Sequence, residues 1–193
     1  DSSLYEHIDS AAVGNFTRTT VSELAGRASV LTKADEFGLE FNNDDAKELI
    51  EEVQNLEHMG YQFEAADGSL FILMNKLKNI EPNFFKFESF RVFSERRNSE
   101  NVVSEAVCKI IVDENRYVKT GEGVGPVDAL SKAFKSALEN DYSKVNEIKL
   151  IDYKVRIIDS SDGTEAKTRV LIEFTDSNKK WSTIGVHENI INA

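Results

Sequence analysis

A chain of 193 residues with two fifths apolar side chains and twelve Phe can bury one good core or two small ones. Its 34 acidic side chains outnumber 23 basic ones, a net charge of −11, and no stretch gathers the Lys and Arg needed to neutralise phosphates. That argues against nucleic acid or an anionic membrane as partner and leaves small molecules and proteins. The single cysteine, Cys108 in "EAVCKIIV", excludes a disulfide framework, reads as a small buried hydrophobe and points to a reducing cytoplasm.

No apolar run reaches the roughly 18 residues of a membrane span, and "DSSLYEHIDS" is acidic rather than a signal peptide. The chain begins at Asp1 without Met, as a piece of something larger would. The first eighty residues read as helices. In "TRTTVSELAGRASVLTKADEFG" the apolar Val21, Leu24, Ala28 and Leu31 recur at helical spacing and Gly38 stands at the stop. "NNDDAKELIEEVQNLEHMG" has an Asn/Asp cap, the stripe Ala46, Leu49, Ile50, Val53, Leu56 and a closing Gly60. A third helix runs from Asp67 through Leu70, Phe71, Leu73, Met74 and Leu77, and Pro82 with Asn83 ends the helical part.

From Phe84 the period changes to two, in "FKFESFRVFSERR", "SEAVCKIIVD", "YKVRIIDS", "TEAKTRVLIEFTD" and "WSTIGV", with turn-rich breaks at "RRNSE", "DEN", "SSDGT" and "DSNKK". An internal repeat of about sixty residues underlies these strands. Phe90 falls on Tyr153, Glu105-Ala106 near Glu165-Ala166, Tyr117 near Trp181, and Gly123-Val124 on Gly185-Val186. Each half is therefore three strands, a glycine turn and a helix, the second helix barely begun at Ala193. The expected fold is α+β: a helical linker subdomain over residues 1–82, then a domain over 83–193 built of two pseudo-symmetric βββα units. Two such units packed about a local two-fold axis would leave a groove onto which both glycine turns open.

The stretch "GEGVGPVDALSKAF" looks like a phosphate-binding loop but meets no nucleotide motif. Pro126 stands where the dinucleotide fingerprint needs its third glycine, and no Gly-Lys-Ser/Thr follows. Gly121, Gly123 and Gly125 would let backbone amides approach a ligand, Pro126 suits the first helical position, and Asp128 suits the first turn. A helix start so built can receive an anion, a carboxylate as well as a phosphate. His7, His58 and His187 share no metal-ligand spacing and lie far from Cys108, so no metal site is expected within the chain. No Ser-His-Asp set follows from spacing either. The clusters "NNDD" and "ELIEE" read as a cap and a solvated helix face. Asp152-Tyr153 open a strand where the first repeat has Ser89-Phe90, either as surface Asp and core Tyr or as ligand groups. Trp181 reads as an anchor of the core or of a dimer interface.

"GEGVGPVDAL", "KLIDYKVRIIDSSDGTEAKTRVLIEF" and "WSTIGVHENIINA" together resemble the C-terminal regulatory domain of the 2-isopropylmalate synthase and citramalate synthase family, over most of residues 117–193. "YEHID", "VGN" and "VSELAGR" are similar to the linker of the citramalate branch. The resemblance implies a Claisen-type acyl transfer from acetyl-CoA to a 2-oxo acid, pyruvate in the citramalate branch. It also implies a homodimer and feedback by a branched-chain amino acid, isoleucine or, in the other branch, leucine. The family's metal-dependent barrel is not in this sequence, so no cofactor is expected here, a divalent metal is expected in the barrel, and the chain alone is expected to be inactive.

Carried over position by position, the family's catalytic linker tyrosine falls on Tyr5. Its effector pocket falls on Val127 and Asp128 at the helix start, Leu150, Tyr153 and Ile157 on one strand, and Ala166 and Thr168 on its neighbour. On that reading the helix N-terminus meets the effector's carboxylate, Asp128 or a nearby carbonyl takes its ammonium, and the glycine loop serves an amino acid. The alternative is a free-standing amino-acid-sensing dimerisation module.

Overall fold

A computed structural model describes residues 21–22, 26–80, 83–97, 101–158 and 166–193. Among the described residues three α-helices come first: α1 (Arg27–Glu36), α2 (Asn43–His58) and α3 (Asp67–Leu77). Helix α1 starts later than its apolar spacing suggests, because Gly26 takes an extended conformation at the N-cap and Val21, though buried, lies outside the helix. All three helices stop in the same way. Gly38, Gly60 and Asn79 adopt positive φ of 70°, 107° and 54°. The amide after each, on Leu39, Tyr61 and Ile80, donates back to Ala34, Leu56 and Asn75 carbonyls at 2.8–3.1 Å. Two glycines and an asparagine stand there because other side chains resist that backbone region.

Helix α2 opens on a capping box. The Asn42 side chain accepts from the amides of Asp44 and Asp45, and Asp45 Oδ2 accepts from the Asn42 amide at 2.8 Å and from Lys78 Nζ at 2.9 Å. The amide and the ammonium hold the Asp45 carboxyl below the usual carboxylate range. The folded state thus binds this proton less readily than the unfolded chain. Its contribution is present above the ordinary Asp value of about 3.9 and is lost as pH falls through the lower folded value. Asp45→Ala is expected to lower stability by about 1 kcal/mol at pH 6. In chemical denaturation the gap from the parent should shrink as pH falls below about 4.

Two three-stranded antiparallel sheets follow, β1-β2-β3 and β4-β5-β6. The first comprises β1 (Lys86–Arg97), β2 (Asn101–Val112) and β3 (Asn115–Gly123), and helix α4 (Pro126–Leu138) lies across it. After a 3-10 turn at Ser143–Glu147 come β4 (Lys149–Ile157), β5 (Thr168–Thr175) and β6 (Lys180–His187). The fold is α+β. Ala129, Ala133 and Ala137 of α4 bury fully against Ala106, Cys108 and Ile110 of β2. That burial raises the Cys108 thiol to a pKa of about 11, the value of an inert core sulfur.

Strand register makes the repeat explicit. Phe87 pairs with Ile110 and Ile110 with Tyr117; Leu150 pairs with Phe174 and Phe174 with Trp181. Each first strand slips immediately afterwards, between Phe87 and Ser89 and between Leu150 and Asp152, and Phe90 and Tyr153 then take equivalent places. The rows Val92, Ala106, Gly121 and Val155, Val170, Gly185 also correspond. Gly185 is therefore the counterpart of Gly121, not of Gly123, and Ala106 matches Val170 rather than Ala166. The short motifs misled the alignment by two residues at the glycine and by four at Ala166, because an even number of strand steps keeps every side chain on the same face.

The reason for those glycines is packing. A Cβ on Gly121 would strike the Ala129 carbonyl and come within 2.5 Å of the Ala133 amide; one on Gly185 would strike the Ala193 carbonyl. Ala193 thus stands over the second sheet as Ala129 stands over the first. Asn189 takes the role of Gly125, the N-cap of α4, accepting at its carbonyl from Asn192 and Ala193 amides at 3.0 and 3.1 Å. The other face of the second sheet meets the helical segment, where Ile184 and Leu171 join the core of Val30, Leu49, Val53, Leu70 and Met74.

Candidate functional site

Helix α4 carries two apolar stripes. The small one, Ala129, Ala133 and Ala137, faces the first sheet. The large one, Val127, Leu130, Phe134 and Leu138, lines a cavity of about 410 Å³ whose opposite wall is the second sheet. Spacings of three and four residues place each stripe on one side of the helix. The sheet contributes Leu150, Tyr153, Val170, Ile172, Phe174 and Trp181, the face that register aligns in rows. Val145, Ile148 and the C-terminal turn with Ile190, Ile191 and Ala193 close the rim. Phe174 and Trp181 stack at 6.2 Å between ring centroids and form one end of the wall. The volume is within the range of small-molecule sites, about 300–1,000 Å³.

Polar groups on this apolar surface are few. Lys135 Nζ donates to the Ile148 carbonyl at 2.5 Å, tying α4 to the turn before β4. Burial raises the Tyr153 hydroxyl above its usual pKa, so the phenol is neutral and available to donate at neutral pH. At the start of α4, Pro126 has no amide hydrogen, and the Val127 and Asp128 amides lie too early in the helix for an intrahelical acceptor. This end of the helix favours an anion.

Of the residues taken from sequence, the cavity brings together Val127, Leu150 and Tyr153. Asp128 does not line it. Its Oδ2 accepts from Lys132 Nζ at 2.9 Å and from the Val124 amide at 3.2 Å, and the Lys132 ammonium, aided by that amide, holds its carboxyl below the usual range. Ile157 lies at the far end of β4, 61% exposed and paired with buried Thr168. That row is four residues, roughly 13 Å, beyond Tyr153. Ala166 is buried just before β5 and lines no part of the cavity. Gly121 and Gly123 lie inside β3, under α4, rather than in an open loop; a Cβ on Gly123 would press on Asp128 Oδ2 at 2.5 Å. Gly125 is the N-cap, with nothing within 4 Å of where its Cβ would stand. Tyr5 lies outside the described residues.

Sequence reasoning missed Leu130, Phe134, Leu138, Ile172 and Phe174, and read Trp181 as an anchor of the core or of a dimer interface, whereas it lines this cavity. The signal for the first three was present: "PVDALSKAFKSAL" carries an alanine stripe for one layer and a second, larger stripe that needs a separate surface. Among the described residues no group of His, Cys, Asp or Glu is arranged to hold a metal ion, and no helix is long and apolar enough to cross a membrane.

Residues 64–193 match the model of the LeuA allosteric (dimerisation) domain. The chain is 43% identical over 192 residues to the (R)-citramalate synthase of Aquifex aeolicus, an overlap of 98% of this chain and 36% of that protein. It is 41% identical over 192 residues to that of Geobacter sulfurreducens, again 98% and 36%, and 32% identical over 191 residues to that of Sulfolobus acidocaldarius, 98% and 35%. The chain thus spans little more than a third of the length of these relatives.

Proposed function

This chain belongs to the LeuA allosteric (dimerisation) domain family, and from that premise we propose that it is the regulatory portion of a homodimeric acyltransferase condensing acetyl-CoA with pyruvate to (R)-citramalate, with isoleucine as its feedback inhibitor. The observation that carries the effector reading is the cavity between α4 and the second sheet, apolar on nearly every wall and bordered at one end by the start of the helix. An aliphatic side chain would lie against Leu150, Tyr153 and Ile172. The amino acid's carboxylate would meet the Val127 and Asp128 amides, where the helix dipole favours negative charge. Relatives named (R)-citramalate synthase support the citramalate branch, for which the resemblance implies pyruvate and isoleucine, over the leucine-regulated one.

On this reading residues 1–82 form the linker subdomain and 83–193 the effector-binding, dimerising domain of a cytoplasmic enzyme. The chemistry and its divalent metal belong to a catalytic barrel, to whose active site in the partner subunit Tyr5 would reach. The chain alone turns over nothing. Both partners being the same chain, an isologous pairing gives the effector one bistable interface to bias. Steady-state assays of the full-length enzyme with acetyl-CoA and pyruvate, under increasing isoleucine, leucine or valine, test the proposal. Isoleucine should inhibit at the lowest concentration. Stronger inhibition by leucine would move the protein to the 2-isopropylmalate branch, and indifference to all three would overturn the effector reading. Light scattering at high micromolar concentration should give a dimer, and a monomer would contradict the pairing.

A further inference from the structure

The face of the second sheet turned away from the effector cavity holds a groove of about 350 Å³ lined by Gln62, Lys154, Val155, Arg156, Arg169 and Leu171. We infer that this groove binds a small multiply charged oxyanion, through carboxylate or phosphate groups gripped by Arg156 and Arg169. Arg156 of β4 stands directly opposite Arg169 of β5 in the register. Opposed residues of an antiparallel pair have Cβ atoms about 5 Å apart, and like charges so placed repel. A chain with 34 acidic side chains has ample means to neutralise such a pair. It does not do so here: among the described residues no carboxylate bridges to either guanidinium.

Arg169 is nonetheless held in place. Its Nε donates to the Gly60 carbonyl at 2.5 Å and its Nη1 to Gln62 Oε1 at 3.0 Å, both neutral acceptors that orient the fork and leave its charge uncompensated. Gly60 is itself fixed, at φ 107°, with space for a Cβ closed by Ile158 Cδ1 at 2.5 Å. The Arg156 side chain is exposed and makes no hydrogen bond or ion pair with the described residues. The third cation, Lys154, is already paired with Asp152 at 2.7 Å, so the two guanidiniums supply the binding charge. Planar forks of this kind suit the paired oxygens of carboxylate and phosphate. An anion seated here would bridge the turn after α2 to β4 and β5, independently of the effector cavity.

The test is a pair of NMR titrations of the protein, one with inorganic phosphate and one with citrate, at ionic strength held constant with chloride. Saturable shifts confined to residues near 60–62, 154–156 and 169–171 are expected with at least one of the two, the more responsive anion identifying the headgroup. Arg156→Gln, at an exposed side chain whose loss leaves the fold intact, should weaken that binding at least tenfold, and Arg156→Lys should restore only part of it. Shifts that never saturate, that spread over exposed lysines elsewhere, or that persist unchanged in Arg156→Gln would overturn the inference, as would silence with both anions.

Discussion

Replacing Tyr153 with alanine in the full-length enzyme is expected to leave uninhibited turnover within about twofold and to move the amino-acid inhibition curve at least tenfold to higher concentration. Tyr153 lines the cavity in the middle of β4, on the wall opposite α4. An effector shifts an enzyme between active and inhibited states only by the difference in its affinity for them, so losing about 1.4 kcal/mol of that difference removes a tenfold factor of coupling. Removal of an aromatic ring from an apolar pocket exceeds that amount. Loss of turnover with the fold intact, or an unmoved inhibition curve, would show that this surface is not the effector site.

The second large effect is on folding. Gly121→Ala is expected to destabilise the protein by on the order of 3 kcal/mol, a fall of about 10 °C in melting temperature, because the new methyl meets helix backbone that has no free direction to move. Gly125→Ala, four residues on, should change stability by no more than about 1 kcal/mol. Its backbone is extended at φ −156°, which any residue adopts, and the space beside it is open. A melting comparison of the two variants separates packing from ligand approach. Equal losses would contradict the role given to β3 and α4.

Much of the fold was legible because local signals were strong and agreed. Gly38 and Gly60 mark helix ends by a backbone conformation that a side chain would resist, and the Asn42–Asp45 box announces α2. Alternation from Phe84 onward gives the strands, and the repeat pairs Phe90 with Tyr153 and Tyr117 with Trp181 as register does. The start of α1 was misjudged because apolar spacing runs across Gly26, whose extended backbone forms the N-cap. The glycine stretch was the harder case. From sequence, three glycines before a helix signify backbone approach to something, and the partner of Gly121 and Gly123 is helix α4 itself.

The cavity was half legible. Val127, Leu150 and Tyr153 could be placed by resemblance, whereas Phe134, Leu138, Phe174 and Trp181 come together only when α4 and the second sheet face one another. The arginine pair is illegible in a linear reading for the same reason: Arg156 and Arg169 stand thirteen positions apart on successive strands and become neighbours through register alone.

The most direct measurement is calorimetric titration of isoleucine, leucine and valine into the full-length protein and its Tyr153→Ala and Arg156→Gln variants. The account predicts one saturable site per chain, isoleucine the tightest, weakened at least tenfold by Tyr153→Ala and unchanged by Arg156→Gln on the opposite face of the sheet. Absence of saturable binding by all three amino acids at millimolar concentration, or binding that Tyr153→Ala leaves intact, would contradict it.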